Sequence, residues 1–218
     1  MNALTPLLPI LQTLEPLGLP SSSLHGWYAY ANQKQAARLA RHLESELRDI
    51  HREFSQMVDH AYLSSDAFQA NVVQAVRAAE MAESEDKLRF IARALAGCVL
   101  SFPPPALDKF QTMRIIEGMS DRELSVLAGL FDLLDPINPY ADSISVNSTA
   151  TVAGLTRQEF GAALLGLGQL GLLNRETLTD RDREWTETPA HSGSGFAWKL
   201  TALARQVAVL SRIGGEEL

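Results

Sequence analysis

The sequence predicts a mainly α fold, with an N-terminal helical bundle built on one long heptad-patterned helix and a C-terminal α+β part. Three observations lead there. Apolar residues between 36 and 61 recur at alternating steps of four and three. Serine, threonine or aspartate stands just ahead of several apolar-periodic runs, where an N-cap belongs. Short strand-like runs fall in the C-terminal part, near Ile144, Leu172 and Trp198.

Composition sets the bounds. With 218 residues, 46% hydrophobic and 21% charged, the chain can bury a sizeable core without metal or disulfide staples. Cys98 is the single cysteine, so no internal disulfide forms, which fits a reducing, cytoplasmic setting. The formal net charge of −7 argues against a protein that coats nucleic acid, because phosphate neutralisation needs a basic excess. The leucine-rich stretch from Met1 to Pro20 lacks the positive start of a secretory signal and is broken by Pro6, Pro9, Pro16 and Pro20. It reads as a short helix or an arm docked on the core. No run of about 18 uncharged apolar residues is present, so no membrane span is expected.

The first element is a long helix from about Tyr28 to Ala61. Ala36, Ala40, Leu43, Leu47, Ile50, Phe54, Met57 and Ala61 form its seam. Either the chain's own helices cover this 36–61 seam, the preferred reading, or a second copy does, giving a homo-oligomer. Ser64, Ser65 and Asp66 offer a cap to a helix with Phe68, Val72, Ala75, Val76 and Ala79 on one face. Ser84 caps the next, with Glu85 and Asp86 in the first turn and Leu88, Ile91, Leu95 and Val99 on the buried face. Pro103, Pro104 and Pro105 end it. Pro105 is expected to open a connecting helix through Ile116. The expected division is therefore a helical domain over 1–102, a connector over 103–119 and a second domain over 120–218.

The C-terminal part opens with an S-x-x-E capping box, Ser120 and Glu123, ahead of Leu124, Leu127, Leu130, Phe131 and Leu134. Ile144 and Val146 mark a short strand, Thr149 to Ala153 a short helix and Gly154 a turn. Thr156 and Glu159 form a second box, opening a helix with Phe160, Ala163, Leu164, Leu167 and Leu170 inward and Gly171 at its end. Leu172 and Leu173 start a strand. A polar stretch from Thr179 to Gly195 leads to the strand Phe196–Leu200, and Thr201 caps a last helix with Leu203, Val207 and Leu210.

This order resembles the winged-helix modules of bacterial regulators and adaptor subunits over about 120–213. The likeness is carried by Gly154-Leu155-Thr156, Leu170-Gly171-Leu172-Leu173 and Trp198-Lys199-Leu200-Thr201. The stretch from Tyr62 to Ala96, with Ser65-Asp66-Ala67-Phe68 and Ser84-Glu85-Asp86-Lys87-Leu88, resembles helical segments of uncharacterised bacterial proteins, some with toxin or phage-defence associations.

Motifs for chemistry fail on context. Gly166-Leu167-Gly168-Gln169-Leu170-Gly171 spells G-x-G-x-x-G, but a helix precedes it and a strand follows, the reverse of a dinucleotide fingerprint. His42, His51 and His60 stand nine residues apart, so neighbours face opposite sides of a helix, and the pair sharing a face lies roughly 27 Å apart. With His25 and His191 they read as solvated histidines. Arg38 with His42, and Arg52 with His60, miss the R-x4-6-H spacing of the HEPN ribonucleases. Cys98 reads as a buried structural thiol. Asp180, Asp182, Glu184 and Glu187 lack a glycine-turned ligand loop and read as a solvated wing. No catalytic residue, cofactor site or metal site is expected.

Two functions remain. A winged helix that reads DNA would use Gln158 and Gln169 on bases and Arg157, Arg175, Arg181, Arg183 and Lys199 on phosphates. An interaction subunit of a multi-component assembly would present the outward face Gln158, Ala162, Leu165, Gly166 and Gln169 to a protein partner. That face has no Lys or Arg, and Arg181 and Arg183 alternate with Asp180, Asp182 and Glu184. Acidity near phosphate costs a DNA reader affinity and costs a protein interface nothing, so the interaction subunit is the preferred reading.

Overall fold

A computed structural model describes residues 33–102, 107–133, 143–145, 152, 154–177 and 196–213. Over these residues the protein is mainly helical, with a small antiparallel sheet. It divides into two compact units, one formed by 1–121 with 206–218 and the other by 122–205.

The first unit is a helical bundle. Helix α1 spans Gln33–Phe54. Ala36, Leu39, Ala40, Leu43, Leu47 and Ile50 are buried, packed against α4 (Glu85–Gly97) and α3 (Asp66–Glu80). Leu39 widens the expected seam into the broad apolar face of a bundle helix. The seam between Ala36 and Ile50 is thus buried within one copy of the chain.

The seam also ends sooner than its spacing implies. After Phe54 the chain makes a single 3-10 turn, Ser55–Met57, and Val58 turns extended to form an isolated antiparallel bridge with Leu100. Asp59 N donates to Val99 O at 2.8 Å and Ser101 N to Met57 O at 2.7 Å. The Asp59 carboxylate then accepts from Tyr62 N and opens a new short helix, α2 (His60–Leu63). A strong cap and a buried Val58 outcompete the last heptad step, and Ala61 is exposed.

Helices α3 and α4 start where their caps predict. Ser65 accepts from Phe68 N and Ser84 from Lys87 N. Phe68, Val72, Ala75, Val76 and Ala79 are all buried, as are Leu88, Ile91, Leu95 and Val99. Phe90, Ala92, Ala94, Ala96 and Cys98 are buried too, so α4 is apolar on nearly every side and runs through the middle of the bundle. Its last residue, Gly97, meets the last helix, α8 (Ala202–Ser211), so closely that a Cβ there would collide with the Leu210 carbonyl. Beyond that crossing Arg212 adopts φ +51°, and Ile213 N closes the helix onto Ala208 O. Arg212 and Arg93 both donate to the Glu46 carboxylate.

The expected connector is part of this bundle. Helix α5 (Lys109–Gly118) packs on α3 and buries Thr112, Met113, Ile115 and Ile116. It starts after Asp108, whose carboxylate accepts from Gln111 N; Leu107 and Asp108 are not helical, and residues 103–106 lie outside the described set. The acidic cap, not Pro105, sets the start. The two compact units meet after residue 121, and the end of α8 groups with the first unit.

In the second unit, α6 (Asp121–Leu133) buries Leu124, Val126, Leu127 and Leu130. Strand β1 (Ser143–Ser145) lies on one edge of the sheet, β2 (Leu173–Thr177) on the other and β3 (Phe196–Leu200) between them. Ile144 pairs with Trp198, and Trp198 with Arg175. Helix α7 (Arg157–Gln169) packs on β2. Apart from Val152, which is not helical, the short helix expected over Thr149–Ala153 lies outside the described residues, as does the acidic stretch Asp180–Glu187.

Candidate functional site

Helix α7 is fixed at both ends. Thr156 Oγ1 accepts from Glu159 N, while the Glu159 carboxylate accepts from Thr156 N at 3.0 Å and from Thr156 Oγ1 at 2.7 Å. This is the reciprocal capping box expected from the sequence. At the other end Gly171, at φ +75°, lets Leu172 N reach Leu167 O at 2.9 Å and its own N reach Gly168 O at 3.0 Å, a Schellman closure. Thr201 Oγ1 then donates to Gly171 O at 2.8 Å.

Phe160, Ala163, Leu164 and Leu167 face inward and are buried. Trp198, 7% exposed, lies beneath the helix, and a Cβ at Gly168 would stand 3.0 Å from its ring. The opposite side carries Gln158, Ala162, Leu165 and Gln169, all exposed, with Leu165 keeping 57% of its surface. The expected interaction residues are thus brought into one stripe, with one change. Gly166 is half-buried because the Glu123 carboxylate of α6 occupies the space a side chain would take. The room at Gly166 is filled by the chain itself; the open glycine on this side is Gly161, where a Cβ would meet nothing within 4 Å.

The electrostatics near the stripe are balanced. Arg122 donates to Glu159 at 3.1 Å. Hydrogen bonds from the Thr156 backbone and hydroxyl, with Arg122 nearby, hold the Glu159 carboxyl below the usual carboxylate range. Of the residues a DNA reader would use, Arg157 and Arg175 are exposed and Lys199 is half-buried; Arg181 and Arg183 lie outside the described residues. Sequence reading missed Arg122 and Glu123 as neighbours of α7, because it assigned Glu123 to a local capping box and had no signal for a non-local contact.

The other chemically interesting groups are committed internally. Asn71, fully buried, donates from Nδ2 to Tyr62 Oη at 2.5 Å, with Cys98 Sγ at 3.9 Å. Lys109 Nζ sits 4.0 Å from the Tyr62 ring centre and donates to Leu100 O at 2.8 Å. Burial pushes the Cys98 thiol up to about 12, so it is not a thiolate near neutral pH. Burial also raises Tyr62 and lowers Lys109. His42 is not a solvated histidine: it and Arg38 both bond Glu85, the first residue of α4, and those bonds, His42 first, hold Glu85 below the usual carboxylate range. His51 and His60 are exposed, and His25 and His191 lie outside the described residues. Among the described residues no group of three or more His, Cys, Asp or Glu is placed to hold a metal, and no helix is long and apolar enough to cross a membrane. Comparison with protein-family models, curated proteins and solved structures gives no match.

Proposed function

We propose that this chain is a non-catalytic interaction subunit that uses a winged-helix-like second unit, through the outer face of α7, to bind a protein partner. The winged-helix reading is supported by the order α6, β1, α7, β2, β3, α8 and by the antiparallel pairing of β2 with β3. The observation that carries the function is the stripe Gln158, Ala162, Leu165 and Gln169, exposed, uncharged and centred on a leucine. A surface meant for the DNA backbone would bring cations where α7 brings Leu165 and Ala162.

Ala162→Arg tests this reading. It adds bulk and positive charge to an exposed position without touching Phe160, Leu164 or Leu167. A protein interface loses its partner while the fold stays intact, because a charge buried without a counter-charge costs several kcal/mol. The measurement is recovery of partners from the native host, after nuclease treatment, alongside the melting temperature and binding to duplex DNA. A folded variant that keeps its protein partners and gains salt-sensitive DNA affinity overturns the proposal in favour of a DNA-binding regulator with Arg157 at its phosphate contact.

A further inference from the structure

We draw no further inference here: the strongest candidate, the side-chain cluster of Tyr62, Asn71, Cys98 and Lys109 inside the helical bundle, carries nothing, because its groups contact one another and the Leu100 carbonyl, which leaves a lone buried cysteine and titration shifted by burial, and neither selects a ligand.

Discussion

Helices α4 and α7 have the same length, 13 residues, and start in the same way, with a hydroxyl cap accepting from the backbone three residues on. Their surroundings differ. Helix α4 is buried on nearly every side, and its Gly97 allows the backbone of α8 to cross it. Helix α7 is buried along one face only; Gly168 admits Trp198 on that side while Leu165 stands in solvent on the other. The fold uses most of α4, so changes to its buried residues register as stability. It uses half of α7, so changes to the outer half should leave stability untouched and, under the proposed interaction, register as binding.

The largest effect is expected in α4. Leu95→Ala empties a site that is 1% exposed and lowers stability by about 2–5 kcal/mol in chemical denaturation. Gly97→Ala comes next. The added methyl meets backbone rather than a flexible side-chain tip, so the helices must separate, at about 1–3 kcal/mol. A melting temperature equal to that of the unmodified chain would show that α4 and α8 do not cross there.

Thr156→Ala removes one hydroxyl from the α7 cap and lowers stability by about 1 kcal/mol. The cap also has a pH signature. Glu159 titrates lower in the folded chain than in the unfolded one, so its contribution is complete above the unfolded carboxylate pKa of about 4.3 and disappears as pH falls through the folded value. Glu159→Gln should therefore flatten the acid side of the stability profile and leave its neutral plateau sloping no differently. An acid limb as steep as that of the unmodified chain would separate Glu159 from the cap.

The caps and faces of α3, α4 and α7 were legible because they are local. Ser65, Ser84 and the Thr156–Glu159 box each sit within one turn of the groups they satisfy. What was not legible is non-local. The heptad seam runs on in sequence through Met57 and Ala61, but Val58 is claimed by Leu100 and the helix stops. Gly97 carries no sequence sign of its crossing with Leu210. Arg212 takes a left-handed conformation although two glycines stand just beyond it in sequence, and its guanidinium bonds the distant Glu46. In the candidate site, periodicity located the outward stripe, but the contact that fills Gly166 joins separate helices and left no local mark.

The smallest expected change in stability carries the central claim. Leu165→Ala trims a side chain that is 57% exposed and should leave the melting temperature within a degree or so of the unmodified chain, since surface substitutions usually fall within about 0.5 kcal/mol. In the same preparation, binding through α7 should weaken at least tenfold by sedimentation or partner recovery, as expected when a central apolar anchor is removed. Unchanged stability with lost association is the predicted result. A lowered melting temperature with association intact would place Leu165 in the core and contradict the account.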